Sequence, residues 1–323
     1  MKSALAGYIS GSGVDLARAR HHTGWVELYE QAHYSSKGYR DLESILSMYL
    51  KTSEEPIDVA CFGVAGPVIK NEVSTTNLPW HIAGEGIEAR FGIGRVKLVN
   101  DIVATAHGLT HLSDDKFYTI NEGVKPDNGN LGLIAPGTGL GEALVYRVGD
   151  KMYPYASEGG HADFAPGNQM ETELWQYVYS EQGHVEVEDI LSISGLERIC
   201  NFLVDTQGGA RGSWMIEAND PALILIEKAL AGKDETAART LDIFIDCLAS
   251  EAANVALNGM TLGGVYIGGG IAPRIITALD QGKFMARFVK QGKMDGLLAK
   301  VPVGVIIEDK AALIGAAGIT STL

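Results

Sequence analysis

The sequence predicts an α/β protein with largely parallel sheets, and three observations carry the prediction. Short apolar runs of strand length alternate with amphipathic helical stretches along the chain. Several of those runs end on glycine or on an Asn-Asp pair, where a strand hands over to a turn or a helix. The chain has 323 residues, with 46% hydrophobic and 20% charged side chains. That length suggests about two domains of roughly 150 residues each, large enough to bury real cores.

The elements follow in order. The apolar start runs into the cluster Ser10, Gly11, Ser12 and Gly13, a first strand and a hairpin-like turn of the kind that often holds phosphate. Over residues 40–50, Leu42, Ile45, Leu46, Tyr49 and Leu50 form a helical stripe. Residues 59–65 (VACFGVA) are apolar and closed by Gly66-Pro67, so they read as a buried strand. Residues 96–99 form another strand, closing on Asn100-Asp101, and 102–109 look helical. Residues 131–136, the GTGLG stretch and residues 143–148 read as strand, glycine turn, strand. Asp234 is the N-cap of a long helix, with Leu241, Phe244, Ile245, Leu248, Ala252, Val255 and Ala256 on one face and Asn258-Gly259 at its end. Residues 265–267 form a strand that enters Gly268-Gly269-Gly270, with a helix starting near Pro273. A last strand over 303–307 and a last helix over 311–318 complete the chain. A polar stretch, HLSDDKFYTINEG, puts the domain boundary near residue 110.

Composition narrows the function. A net charge of −14 argues against a nucleic-acid partner, because phosphate backbones need a basic footprint. It argues equally against an anionic membrane surface, but leaves ATP open. Cys61, Cys200 and Cys247 lie far apart in apolar contexts, with neither zinc nor disulfide spacing. The first ten residues are too short an apolar run for a signal peptide, and no run approaches a membrane span. A cytoplasmic protein is expected.

Four stretches carry chemistry. In VKLVNDIVATAHG, an acid at the carboxyl end of a buried strand sits where open α/β sheets bind ligands. Asp101 would take a proton from a substrate hydroxyl with Asn100 orienting it, or the pair would simply cap the following helix. In APGTGLGEALVY, Gly137, Gly139 and Gly141 permit unusual backbone geometry and Thr138 offers a hydroxyl. No Lys-Ser/Thr follows, so this is not a Walker A loop; it is either a phosphate cradle or a glycine-rich hairpin. In YASEGGHADFAP, Glu158, His161 and Asp163 surround two glycines, a set suited to sugar hydroxyls, with an ordinary polar loop around a buried histidine as the alternative. Glu188 in GHVEVEDILS would add a ligand, though alone it looks like an exposed helix acid. In GGVYIGGGIAPRI, Gly268, Gly269 and Gly270 would let backbone approach a nucleotide base or ribose, or would only make a tight turn. The spacing of a dinucleotide site is missing.

In this order, LVNDIVATAHG, PGTGLGEA, SEGGHADFAP, GHVEVEDILS, GGVYIGGGIAPR and IIEDKAALIGAAG resemble the bacterial glucokinases from about residue 55 to the end of the chain. The resemblance implies a two-domain, actin-like ATPase (ribonuclease H-like) fold. Its small domain would span 1–110, completed by 305–323, and its large domain 111–304, with a cleft between them. It implies an ATP-dependent glucokinase with Asp101 as general base and Asn100, Glu158, His161 and Glu188 on the sugar, joined by Thr76 and Asn77. Gly137, Thr138 and Gly139 would form the second phosphate loop, and Gly268, Gly269 and Gly270 would border the adenosine. Glucose and MgATP are the expected partners, a homodimer the expected assembly, and no residue is assigned as a direct metal ligand.

The first phosphate loop departs from that family. Its pattern reads Asp, any residue, Gly, Gly, Thr, Asn or Lys, any residue, Arg. Here Tyr8 stands at the acid, Ser10 at the first glycine, Ser12 at the threonine, Gly13 at the Asn or Lys, and Asp15 at the arginine; Gly11 is kept. Gly11 and Ser12 would still touch phosphate, but the carboxylate that helps place Mg²⁺ is gone and an acid replaces the arginine. Ser10 is also expected to bring a Cβ where glycine needs a positive φ. A non-catalytic sugar-binding protein of this fold, or a kinase for another hexose, are the alternative readings.

Overall fold

A computed structural model of the chain describes residues 3–323 except 53–54, 76–77, 127, 150 and 218–219. The chain forms two compact units. The first comprises Met1–Lys116, Met152–Ala156 and Glu308–Leu323; the second comprises Phe117–Lys151 and Ser157–Ile307.

The first unit is built on strands β1 (Ala4–Ile9), β2 (Gly13–His22), β3 (Trp25–Ser35) and β4 (Val59–Val64). A small hairpin of β5 (Glu72–Ser74) and β6 (His81–Ala83) stands apart, and β7 (Arg95–Asn100) completes the main sheet in the order β3-β2-β1-β4-β7. Strands β1, β4 and β7 are parallel, whereas β2 and β3 run antiparallel at one edge. Alternation along β1 sends its side chains to two cores. Leu5 and Ile9 join Leu42, Ile45, Phe62 and Ile87 on one face. Ala4 and Ala6 join Leu313, Ala316 and Ala317 of the helix Ala311–Thr320 on the other. That second face is made of small residues because helices come close to it. A Cβ at Gly315 would collide with the Ala104 carbonyl, and one at Gly108 with that of Ala311. The helix Ala311–Thr320 therefore crosses the helix Asp101–Gly108 at backbone contact.

In the second unit, β8 (Phe117–Asn121), β9 (Leu131–Pro136) and β10 (Leu140–Val148) come first; β11 (Lys151–Ser157) follows in the chain but falls mostly in the first unit. Strands β12 (Gly264–Ile267) and β13 (Val303–Ile306) complete the set, in the spatial order β10-β9-β12-β13-β8. The central strands β9, β12 and β13 are parallel; β10 and β8 are antiparallel to their neighbours. The helix Glu235–Gly259, capped by the Asp234 carboxylate, buries Phe244, Ile245 and Leu248 in a core shared with Leu196, Phe202 and Phe284.

Two expectations need correction. The sheets are mixed, not largely parallel, because β2 and β3 in one and β10 and β8 in the other pair antiparallel with their neighbours. The turn after β9 is shorter than GTGLG: Leu140 already pairs with Pro136. Among the described residues, no helix is long and apolar enough to cross a membrane.

Candidate active site

Strand β7 ends on Asn100, which caps the helix Asp101–Gly108. The Asn100 Oδ1 accepts the Ile102 N–H at 2.9 Å, and its Nδ2 donates to the Gly66 carbonyl at 3.1 Å. Asp101 Oδ1 accepts the same Ile102 N–H at 2.9 Å. The capping alternative is therefore met, and the cap holds the Asp101 carboxylate at the carboxyl end of β7, at a helix N-terminus that favours its charge.

Tyr8 lies on the same sheet face as that helix. It pairs with Asp15 across β1 and β2, and with Gly63 across β1 and β4. The missing side chain of Gly63 leaves room there, since a Cβ would stand 2.8 Å from the Ala104 Cβ and 3.9 Å from the Asp101 Cα. Burial, followed by the charges of Asp101 and Asp15, pushes the Tyr8 phenol up to about 12. It stays neutral at any physiological pH. Asp15 is held in turn by His33, with Oδ1 to Nδ1 at 2.7 Å.

The turn between β1 and β2 is closed by its own serine. Ser10 N–H donates to the Gly13 carbonyl at 2.9 Å, and Gly13 N–H donates back to Ser10 Oγ at 3.2 Å. Ser36 Oγ donates to the Gly11 carbonyl at 2.8 Å, while Ser12 is exposed. Ser10 does not have a positive φ, so the expected strain is absent. Thr76 and Asn77 lie outside the described residues.

In the second unit three of the quoted stretches interlock. Glu188 sits in a turn, not on a helix; its Oε2 accepts the Leu140 N–H at 2.7 Å. Its backbone N–H donates to the Gly160 carbonyl at 2.8 Å, and Val187 N–H to the Ala162 carbonyl at 3.0 Å. The loop carrying Glu158 and His161 is thereby stitched both to the segment carrying Glu188 and to the start of β10. Glycines permit the contact. A Cβ at Gly160 would strike the Leu140 carbonyl, and one at Gly139 would lie 2.5 Å from Glu188 Oε2. Gly137, Gly139 and Gly141 have no positive φ; at Gly139 close approach, not unusual backbone geometry, is what requires glycine.

His161 is exposed, contrary to the buried alternative, with its side chain 52% accessible. Its Nδ1 meets Glu186 Oε2 at 2.7 Å. This hydrogen bond, helped by the charges of Glu188, Glu186 and Glu158, raises the imidazole above its ordinary value against a smaller opposing effect of burial. With Nδ1 engaged, Nε2 is the nitrogen left to meet a ligand. Glu186 was not singled out from the sequence. The E-V-E alternation, which puts it two residues from Glu188, was its one signal.

The turn Gly137-Thr138-Gly139 closes on itself through Gly137 N–H to the Gly139 carbonyl at 2.8 Å, leaving Thr138 exposed. Gly268, Gly269 and Gly270 lie beside it. Gly269 has φ +77°, a Cβ there would strike the Pro136 carbonyl, and beside Gly270 there is open space. Two adjacent glycine turns at the carboxyl ends of β9 and β12 leave backbone that a nucleotide could approach, its phosphates at the first and its adenosine at the second. Among the described residues no group of three or more His, Cys, Asp or Glu side chains converges as a cation cage.

The family model described as Glucokinase matches residues 5–322. The chain is 33% identical over 332 residues to a glucokinase of Nostoc punctiforme, covering 97% of each chain. It is 34% identical over 315 residues to one of Synechocystis, covering 90% of this chain and 88% of that one. Among solved structures, a glucokinase from an Antarctic psychrotroph superposes with a TM-score of 0.89 at 28% identity over the whole of both chains. A Streptomyces griseus ROK family glucokinase in complex with glucose and AMPPNP shares the fold at 17% identity, with a TM-score of 0.67 and coverage of 99% and 100%.

Proposed function

The chain belongs to the glucokinase family, an actin-like ATPase fold, and from that premise we propose that it transfers the γ-phosphoryl group of ATP to the 6-hydroxyl of glucose. Asp101 is the base. It accepts the hydroxyl proton as the sugar oxygen bonds to the γ-phosphorus, the bond to the β-phosphate oxygen breaks, and ADP leaves. Asn100 orients the hydroxyl. Glu158, His161 and Glu188 hold the remaining hydroxyls, with Thr76 and Asn77 as further sugar contacts. Gly11 and Ser12, the turn of Gly137, Thr138 and Gly139, and Gly268, Gly269 and Gly270 receive the nucleotide. Mg²⁺, when bound, neutralises charge on the β- and γ-phosphates. A cytoplasmic homodimer with small and large domains is part of the same reading.

The observation that carries the proposal is the 2.7 Å hydrogen bond from the Leu140 N–H to Glu188. It ties a sugar-type ligand to the edge of a phosphate-type turn, so both substrates are positioned by one hydrogen-bonded unit. Tyr8 and Asp15 favour a second reading, a sugar-binding protein with little turnover, because a neutral phenol and an acid stand where the family carries a carboxylate and an arginine. The test is ADP formation across a panel of glucose, mannose and fructose with MgATP. The proposal expects the highest kcat/KM with glucose; a higher value with another hexose would reassign the substrate.

A further inference from the structure

Glu142 follows the glycine turn on β10 and is buried, with 6% of its surface accessible. It faces a second acid, Glu251, from the middle of the helix Glu235–Gly259, close enough for the two carboxyls to share a hydrogen bond when one of them carries a proton. Carboxylates only accept, so a bond between them requires a proton. The Glu142 Oε1 is sealed from solvent and receives no N–H or hydroxyl donor among the described residues. Asn254 Nδ2 donates to Glu251 Oε2 at 2.9 Å, which favours Glu251 as the charged member and leaves the proton on Glu142. The same Glu142 carboxyl abuts the loop of Glu158 and His161. A Cβ on Gly159 would collide with its Oε2, while the Gly159 N–H donates to Ser157 Oγ at 2.9 Å.

We propose that Glu142 and Glu251 share one proton, and that this singly charged pair props the sugar-binding loop at Gly159, making Glu142 a positioning residue for glucose. The assignment of the loop to glucose rests on the function proposed above. Two ionised carboxylates in this dry site would repel each other and push Glu142 against the loop backbone. Glu251 is the charged group that acts on Glu142; burial comes first, and together they raise Glu142 to about 8 from its ordinary 4.5.

The test compares the wild type with Glu142→Gln, whose amide donates to Glu251 without ionising. Thermal unfolding is followed from pH 5 to 9. The folded acid keeps its proton while the unfolded one releases it near 4.5, so the wild type loses stability as pH rises through that window and levels off above about 8. Glu142→Gln removes this slope, and its melting temperature gains on the wild type with rising pH. Glucose affinity, measured by calorimetry without nucleotide, should fall about tenfold more in the wild type than in the variant between pH 7 and 9. Parallel melting profiles would overturn the shared proton. Diverging melting profiles with a constant ratio of affinities would overturn the positioning role. Absence of glucose binding in both proteins would overturn the glucose reading, while the melting profiles still decide the proton. Should Glu142→Gln not fold, Glu251→Gln is read in the same way.

Discussion

Glu186 acts on the proposed sugar site through His161. It accepts from one histidine nitrogen at 2.7 Å and lies 3.6 Å from His184. Because the hydrogen bond to Glu186 is the main cause of the raised His161 value, Glu186→Gln should lower the pH at which His161 titrates, as followed by NMR of the ring protons. An unchanged midpoint would show that Glu188 and Glu158 set the histidine without it. Legibility at this scale followed chemistry. Asn100, Asp101, Glu158 and His161 stood out because polar groups at strand ends and between glycines have few other reasons to be there. Glu142 and Glu186 did not, since a lone acid inside a strand or an extended segment looks like a solvated one. Glu188 was read as a helix acid because the turn that holds it depends on backbone bonds to Gly160, distant in sequence.

The helix Asp101–Gly108 is positioned by what crosses it. Gly315 meets the Ala104 carbonyl with no room for a methyl group, so Gly315→Ala should cost about 1–3 kcal/mol of stability through overpacking. Gly86, in the helix Gly84–Phe91, has only the Ala83 Cβ at 3.9 Å; Gly86→Ala should stabilise by about 0.5–1 kcal/mol. Urea unfolding of both variants checks the pair, and equal effects would contradict the close crossing. The elements legible in the sequence were the central ones. Strands β4, β7, β9 and β12 are short, apolar and ended by glycine or asparagine. The edge strand β3 escaped because its exposed and half-buried residues mix without a clean alternation. Missing β3, and the antiparallel β8 at the edge of the other sheet, is what made the sheets look largely parallel.

For the whole molecule, the residues assigned to one reaction are divided between two units of the chain. Asn100 and Asp101 belong to the first; Glu158, His161 and Glu188 belong to the second. No local pattern joins them, so the sequence reached their common role only through the order of motifs along the chain. The central claim is that Asp101 is the base of a glucose-phosphorylating enzyme. The most direct measurement is glucose-dependent ADP formation by the wild type and by Asp101→Asn, with the melting temperature of each recorded with and without glucose. The account predicts turnover in the wild type and a loss of about 10²–10⁴-fold in the variant, while glucose still raises the melting temperature of both. Equal turnover in the two proteins would contradict the role of Asp101. A wild type that glucose stabilises but that forms no ADP would contradict the enzyme, and leave a sugar-binding protein whose first turn, with Tyr8 and Asp15, no longer serves phosphoryl transfer.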